Sequence, residues 1–317
     1  MESNVDNKKT SVYKARRKRL QPESVIFHTI NYLLLFGLCV IMLYPMLNTL
    51  ALSFNDGLDA IRGGVRLWPR SFTLNNYETL FSVPTVFPAF RVSIIRTIVT
   101  VISNLLVTSM LAYALSRPEY KLSRPIALII VITMYFNAGL IPHFILRQSL
   151  GLLNTFAVLW VPSMISAFNL IIIRTYMKGL PDSLVESAKL DGAGDFTIYV
   201  RVIMPLCKPV LATIALFVAV GAWNEWFDAF IYNSARPDLE VLQGVLRQFL
   251  AAAMAHAAGG GGGHAAAAAA AAGAPVMATP LTLRAAITIF TALPILLVFP
   301  FLQRHIVHGM TLGGVKE

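Results

Sequence analysis

Charged residues are scarce in this chain. Only 13% of its 317 residues are Asp, Glu, Lys or Arg, whereas 56% are hydrophobic, and the mean hydropathy is +0.65. A soluble domain needs far more polar surface than this to cover its core. We therefore expect lipid, and not water, to surround most of the chain.

Cysteine is nearly absent as well, with only Cys39 and Cys207 in the sequence. This excludes a disulfide framework and a CxxC metal site, and both residues are interpreted as small apolar fillers. His256 and His264 lie in an Ala/Gly-rich stretch, where two ligands in a flexible segment make a poor metal site. No metal site is expected.

A Gly-Lys pair occurs nowhere, which excludes a P-loop, so any ATP must be handled by another protein. No nucleophile and base pair stands out, and an enzyme is not expected. The net charge of +10 could suggest nucleic acid, but the basic residues lie between apolar runs and form no stripe along which a phosphate backbone could run. We expect no nucleic-acid partner.

Long apolar runs are what the sequence has in abundance. A helix needs about 20 mostly apolar residues to cross a membrane. Six stretches qualify, at 25–54, 93–116, 125–146, 156–173, 206–232 and 284–303. They predict an all-α polytopic membrane protein with six transmembrane helices. An even number of spans places both termini on one side.

The lysines indicate which side that is, because short loops rich in Lys and Arg stay in the cytoplasm. With the amino terminus inside, every lysine falls in an inner segment or at an inner helix end. The cluster at 14–19, before the first helix, is the strongest anchor on anionic lipid. Both termini are therefore predicted to be cytoplasmic.

This topology divides the chain into four predicted parts: a basic tail at 1–24, a first helix with its outer loop at 25–92, a five-helix core at 93–303, and a cytoplasmic tail at 304–317. The outer loop is expected to contain a short helix. Within the core, the outer connection 233–283 is rich in Ala and Gly, which predicts two weak helical pieces around a flexible link.

The inner loop at 174–205 is polar and has helix signals. Pro181 suits the first turn of a helix, and Gly192 or Gly194 can end that helix in a left-handed cap. Asp195 can cap a second helix that Pro205 stops. Such a half-apolar pair lies either on the lipid surface or in a groove of a soluble partner, and periodicity alone does not decide between them.

The residues of this loop resemble the "EAA" loop of permease subunits in binding-protein-dependent ABC importers. The matches are Glu186, Ala188, Asp191, Gly192, Ala193 and Pro205, and Ser187 stands where the family has another small residue. Further matches are the stretches 221–226 and 309–316. The resemblance covers about residues 80–317 and is closest to the carbohydrate-uptake branch.

The resemblance implies the type I ABC importer fold in a bacterial cytoplasmic (inner) membrane. The loop would be a coupling helix docked on an ATPase subunit through Glu186, Ser187, Ala188, Asp191, Gly192, Ala193 and Pro205. The implied partners are a second permease, two ATP-binding subunits that hold ATP and Mg, and an extracytoplasmic solute-binding protein. No cofactor is implied in this chain, and the implied mechanism is alternating access.

Polar side chains inside the apolar spans point to a functional surface, because they are costly in lipid. Seven of them could line a sugar path: Tyr135, Asn137, Asn169, Trp223, Asn224, Glu225 and Asp228. Asn104 belongs to the same group. For each residue, bonding to a neighbouring helix or to the outer water is an equally open alternative.

Five arginines lie on or near the predicted outer entrance: Arg62, Arg66, Arg70, Arg91 and Arg96. They would favour an anionic substrate such as a uronate oligosaccharide, as in an alginate-type importer. The alternative is contact with a docked binding protein or with lipid phosphates.

Two other classes of protein remain open. A secondary transporter acting alone would need buried carboxylates in discontinuous helices and inverted repeats, and no repeat is evident. A membrane sensor or scaffold would use the loop 174–205 to dock a signalling protein. Co-purification of an ATPase distinguishes the importer from both.

Overall fold

The computed structural model describes residues 22–136, 138–257 and 278–311. The chain divides into two compact units, residues 1–48 and 49–317. In the described ranges, regular secondary structure is helical apart from an isolated β-bridge between Asn55 and Phe72. The predicted all-α class is thus confirmed, whereas the predicted division into four parts stays a prediction.

The helices, numbered in chain order, have the following bounds. They are α1 Pro22–Ser53, α2 Gly57–Ile61, α3 Asn75–Ser82, α4 Val86–Ser116, α5 Ser123–Thr133, α6 Leu140–Ser149, α7 Ala167–Lys178, α8 Ser183–Leu190, α9 Asp195–Ile198, α10 Met204–Leu206, α11 Lys208–Asn224, α12 Phe227–Tyr232, α13 Leu242–Ala257 and α14 Pro280–Thr311. Short 3-10 helices occur at Phe156–Leu159, Val161–Ser163 and Pro237–Leu239, and a π-helical turn at Tyr199–Ile203.

Three helices are long and apolar enough to cross a membrane by themselves: Ile26–Ser53 within α1, the whole of α4, and Pro280–Val298 within α14. Two bent pairs would add one span each. They are Phe156–Ser163 with α7, bent by 44°, and Asp195–Leu206 with α11, bent by 80°. The described residues therefore hold three to five candidate spans, and the number six stays a prediction.

The predicted continuous span at 125–146 is wrong. The chain forms α5 there, which has 11 residues, and then a separate helix α6. Gly139, immediately before α6, has φ +83, a left-handed conformation that interrupts a right-handed helix. Hydropathy does not detect this interruption, because the residues next to it on both sides are mostly apolar.

The predicted span at 206–232 is also interrupted. Helix α11 ends at Asn224, because Glu225 takes an extended backbone conformation (φ −76, ψ 117), and α12 begins at Phe227. The span at 156–173 consists of two 3-10 helices followed by α7. Both regions therefore contain discontinuous helices, in which backbone groups need partners from elsewhere.

Helix α4 lies at the centre of the second unit and packs against α7 and α11, while α11 and α13 pack against α14. Two apolar clusters form at its two ends. The loop-end core comprises Ala112, Tyr113, Ile173, Met177, Val185, Ile198, Tyr199, Ile203, Cys207, Val210 and Ile214. The far-end core comprises Leu80, Val86, Ala89, Trp223, Leu242, Val245, Leu283, Ala286 and Ile287.

The segment between α1 and α4 is ordered by buried amides. Asn55 is fully buried, and its Oδ1 accepts hydrogen bonds from the backbone N–H groups of Arg70 (2.8 Å) and Ser71 (3.0 Å). The Asn76 amide donates to the carbonyls of Ser53 (3.0 Å) and Asn55 (2.8 Å). The sequence predicts this segment as an outer loop with a short helix. The helix is confirmed, since both α2 and α3 form there, and the outer position stays a prediction.

Candidate coupling loop and membrane path

The loop after α7 forms two helices around a tight turn, as predicted. Helix α8 ends at Leu190, and Gly192 follows with φ +79. No atom lies within 4 Å of the point where a Cβ of residue 192 would stand, so the backbone conformation and not the available space requires glycine. The Ala193 N–H donates to the Ala188 carbonyl (3.0 Å) and closes the turn.

The second helix of the loop differs from the prediction in two details. Gly194 and not Asp195 is the N-cap, and Asp195 is the first helical residue, where its charge still favours the helix N-terminus. Pro205 does not stop the helix. The π-helical turn, in which the Met204 N–H bonds the Tyr199 carbonyl, carries the helix through Pro205, and the break comes at Cys207.

The inner face of this loop is anchored to the membrane helices. The Tyr199 hydroxyl lies 2.7 Å from the Ser109 hydroxyl in α4, and both residues are buried. The Tyr199 ring also packs on the Tyr113 ring, with centroids 5.4 Å apart. The Arg174 guanidinium donates to the Leu115 carbonyl (2.9 Å) at the end of α4. Loop and membrane helices therefore share one core.

The other face of the loop exposes large apolar side chains. Leu190 is 90% exposed and Phe196 is 69% exposed, on either side of the Gly192 turn. Exposed apolar groups on a polar, anchored loop are typical of a surface that a partner covers. Of the residues that the resemblance implies, Glu186, Ser187, Asp191, Gly192 and Pro205 are exposed, while Ala188 and Ala193 are half-buried against the loop-end core.

An ion pair fixes the edge of the loop. The Lys189 ammonium lies 2.6 Å from the Glu119 carboxylate in the neighbouring connection. Their hydrogen bond raises the pKa of Lys189 and lowers the pKa of Glu119. A cavity of about 470 Å³ opens beside the pair, lined by Arg117, Phe196 and Tyr199 among others.

Trp223, a predicted path residue, is engaged in helix packing. Only 6% of its surface is exposed, and its indole N–H donates to the Thr291 carbonyl in α14 (3.0 Å). Its ring meets Phe90 edge to face, with centroids 6.1 Å apart. In this conformation, the indole joins α4, α11 and α14.

Asn104 and Asn169 form another bridge between helices. The Asn104 amide donates to the Ser163 carbonyl (2.7 Å), and the Asn169 amide donates to the Asn104 side-chain oxygen (3.3 Å). Both side chains are buried. The pair therefore satisfies a backbone carbonyl that the break before α7 leaves without a helical partner.

Glu225 and Asp228 stabilise the second break. The Glu225 carboxylate accepts from the N–H groups of Phe227 (2.8 Å) and Asp228 (3.3 Å), and so caps α12. Asp228 pairs with Arg147 of α6 at 3.1 Å. The Arg147 guanidinium also lies 4.0 Å from the centroid of the Tyr232 ring.

Arg96 connects both breaks and is a residue whose role the sequence analysis missed. Its side chain is only 2% exposed, so its interpretation as a charge at an outer entrance is wrong. Its Nε donates to the Leu159 carbonyl (3.1 Å) and its Nη1 to the Glu225 carbonyl (2.5 Å). An arginine inside an apolar helix was the available signal, because such a residue needs internal partners.

The remaining predicted residues are more exposed. Tyr135 is 83% exposed, and Asn224 is exposed with its side-chain oxygen accepting from Gln243 (3.1 Å). Asn137 lies outside the described residues, as do His264, residues 258–274 of the Ala/Gly-rich stretch and residues 312–316 of the matched stretch 309–316. Among the arginines predicted near the outer entrance, Arg70 pairs with Asp59 at 3.0 Å, and Arg62 and Arg91 are exposed.

Known proteins have sequences similar to this chain. A family described as "Binding-protein-dependent transport system inner membrane component" matches residues 64–227. The chain is 34% identical over 288 residues to the polygalacturonan/rhamnogalacturonan transport system permease protein YtcP of Bacillus subtilis (strain 168), covering 90% of this chain and 96% of that protein. It is 27% identical over 299 residues to the arabinooligosaccharides transport system permease protein AraQ of Halalkalibacterium halodurans, covering 90% and 97%.

A solved structure is similar as well. It is the crystal structure of a bacterial ABC transporter involved in the import of the acidic polysaccharide alginate, with a TM-score of 0.80 and 28% identity, covering 90% of this chain and 98% of the other. The family match spans more than half of the sequence, and the relative YtcP is similar over nearly its whole length. The chain therefore belongs to the family of binding-protein-dependent transport system inner membrane components.

Proposed function

We propose that this chain is one of two permease subunits of an ABC importer for oligosaccharides, and that the loop from α8 to α10 couples it to an ATP-hydrolysing partner. Family membership makes the chain an inner-membrane transport subunit without an ATPase domain, in a system where a partner handles ATP. The second permease, the two ATP-binding subunits and the cytoplasmic position of both termini belong to the proposal.

The observation that carries the proposal is the two-sided loop. Its exposed face offers Leu190 and Phe196 to a partner, and its buried face joins α4 through Tyr199 and Ser109. A movement of the partner would therefore be transmitted directly to the membrane helices, because the loop is packed against them and would move with them. Glu186, Ser187, Asp191 and Gly192 would contact the ATPase, and Ala188, Ala193 and Pro205 would shape the loop.

The substrate class rests on the relatives. YtcP is named for polygalacturonan and rhamnogalacturonan, AraQ for arabinooligosaccharides, and the similar structure for alginate. These are all chains of sugar units, which supports an oligosaccharide delivered by an extracytoplasmic solute-binding protein.

The discontinuous helices are an argument for where the sugar path runs. Broken helices at membrane depth expose backbone groups and allow segments to move in alternating access. The breaks before α7 and at Glu225 lie beside the polar residues Asn169, Asn224 and Asp228. We assign the path to these residues together with Tyr135, Asn137, Trp223 and Glu225. Asn169 and Trp223, which are buried in this conformation, would become accessible when the helices rearrange.

The test is co-purification of the ATPase subunit from membranes that contain the whole importer. Leu190→Asp and Glu186→Lys should insert normally but lose most of the bound ATPase and the ATP-dependent uptake of oligosaccharide. Leu67→Asp is a matched control, because Leu67 is also an exposed leucine, at 51%, but lies in the segment between α1 and α4.

The control variant should retain the ATPase. If the ATPase stays bound to Leu190→Asp and Glu186→Lys and uptake continues, the loop does not couple transport to ATP. If no ATPase co-purifies with the wild-type protein, the chain acts alone or as a scaffold, and the importer function is rejected.

A further inference from the structure

Arg247 of α13 is held over an aromatic platform. Its guanidinium carbon lies 4.5 Å from the centroid of the Trp226 ring and 4.4 Å from that of Phe230. The centroids of the two rings are 5.8 Å apart, and both residues belong to the segment just after the break at Glu225. Stacking on two rings orients a guanidinium and leaves the N–H groups on its edge available.

Arg247 forms no salt bridge with a carboxylate among the described residues. The ion pairs found there involve Arg70, Arg147, Lys189 and Arg236, each with its own carboxylate. Glu240 is a nearby acid, but its carboxylate accepts from the Val241 N–H (3.2 Å). Burial raises the pKa of Glu240, and the charge of Arg247 offsets this only in part.

The surroundings of Arg247 are polar and exposed. One turn earlier on α13, the Gln243 amide donates to the exposed Asn224 side chain (3.1 Å), and Arg247 itself is exposed. A guanidinium beside two amides is too costly to face hydrocarbon, so this surface meets water or a polar ligand. Asn224 is the last residue of α11, so the cluster lies at the helix break at Glu225, beside the proposed path.

We propose that Arg247, positioned by Trp226 and Phe230 and flanked by Asn224 and Gln243, binds the carboxylate of an acidic oligosaccharide. A guanidinium edge donates two parallel hydrogen bonds to a carboxylate, which a neutral sugar cannot accept in the same way. Exposed aromatic edges and amides suit the rings and hydroxyl groups of the same sugar. This inference deepens the proposed function and rests on it.

Other arginines of this region are already occupied. Arg96 bonds two backbone carbonyls, and Arg147 pairs with Asp228. Two proteins similar to this chain are named for acidic polymers, polygalacturonan and alginate, which agrees with a carboxylate-binding cation in the path.

The experiment measures ATP-dependent uptake by the complete importer in membrane vesicles. The probes are trisaccharides of galacturonate and of mannuronate and their methyl esters, which have the same rings without the charge. Arg247→Gln should lower kcat/KM for the preferred acid at least about tenfold, because charge-assisted hydrogen bonds are the strong ones. Uptake of the ester should stay within about twofold, which also shows that the variant folds.

Two further variants sharpen the test. Arg247→Lys keeps the charge but loses the planar pair of donors. Its kcat/KM for the acid should lie between the values of wild type and Arg247→Gln. Arg236→Gln is the matched control, because Arg236 is an exposed arginine paired with Asp238 at 2.7 Å, and it should leave the ratio of acid to ester unchanged.

Equal losses for acid and ester in Arg247→Gln would overturn the inference, since they would mean that Arg247 only packs. So would uptake limited to neutral oligosaccharides and unaffected by Arg247→Gln, although the proposed function would then stand. If wild-type vesicles import no oligosaccharide in an ATP-dependent way, the proposed function itself fails.

Discussion

The two ends of α4 are held in different ways. At the loop end, α4 shares an apolar core with α7, α8, α9 and α11, and the loop joins this core through the buried contact of Tyr199 with Ser109. Towards the far end, a second apolar core surrounds Val86 and Ala89, and polar contacts add to it. Arg96 and the pair of Arg147 with Asp228 connect the broken segments there, and Asn104 with Asn169 connects them at the middle of α4.

This difference suggests that the two ends of α4 have different tasks: one transmits force from a partner, and the other rearranges to open the path. A close-packed apolar core deforms little and moves as one body, so the loop end suits the transfer of force from a partner. Hydrogen bonds and ion pairs can be exchanged for others as segments move, so the far end suits the opening and closing of a path. The following substitutions test this contrast.

The largest effect is expected at Arg96. Arg96→Met leaves the carbonyls of Leu159 and Glu225 without their donors, at a cost of about 1–3 kcal/mol for each buried group. We expect a clear drop in the thermal midpoint of the purified protein and loss of uptake. Arg96→Lys keeps one bond and should be intermediate. An unchanged midpoint in Arg96→Met would mean that the breaks do not depend on this arginine.

A smaller loss is expected at Trp223. Trp223→Phe removes the hydrogen bond to the Thr291 carbonyl and part of the ring, which together cost about 1–2 kcal/mol. The thermal midpoint of unfolding should fall. Trp68→Phe is the control and should leave the midpoint unchanged, because Trp68 is 82% exposed. A raised KM for uptake with an unchanged midpoint would contradict the packing role and leave Trp223 with sugar contact alone.

Two tyrosines of the loop-end core give a matched comparison. Tyr199→Phe removes the hydrogen bond to Ser109, worth about 1 kcal/mol. Tyr113→Phe should be neutral, because the Tyr113 hydroxyl is buried without a partner among the described residues. ATP hydrolysis per sugar imported should rise only in Tyr199→Phe. Equal effects of both substitutions would show that ring packing alone transmits the movement.

The smallest effect is expected for the exposed pair of Lys189 and Glu119. The Glu119 carboxylate stabilises the folded protein fully above its ordinary pKa of 4.5. This stabilisation is lost as the pH falls through the lowered pKa that Glu119 has in the folded protein. The Lys189 ammonium stabilises the folded protein fully below its ordinary pKa of 10.5. This stabilisation is lost as the pH rises through the raised pKa of Lys189.

Glu119→Gln should therefore lower the thermal midpoint slightly and evenly between pH 5 and pH 10. The difference from wild type should vanish in acid, below the lowered pKa of Glu119. A difference that stays constant into strong acid would show that the ion pair is not its source.

Some of this organisation could be predicted from the sequence, and some could not. Long apolar runs predict α1, α4 and α14, because hydropathy measures what lipid requires. The turn at Gly192 was predictable, since glycine is the residue that takes positive φ without strain. The break at Glu225 was not, because it depends on tertiary partners such as Arg96 and Arg147.

The candidate site divides in the same way. The coupling loop carries a local pattern that a sequence can show, from Glu186 to Pro205. Arg247 carries no such signal, because Trp226 and Phe230 lie in a different helix, α12 and its N-cap, and meet Arg247 only when α13 folds back. The role of a polar residue in a span likewise depends on what faces it.

Cross-linking from the exposed tip of α8 tests the central claim most directly. Leu190→Cys, carrying a short thiol-reactive cross-linker in the intact importer, should capture the ATP-hydrolysing subunit. Trp68→Cys, at the exposed position between α1 and α4, should not. Capture of the ATPase from residue 68, or its absence from residue 190 in a complex that still transports, would contradict coupling through this loop.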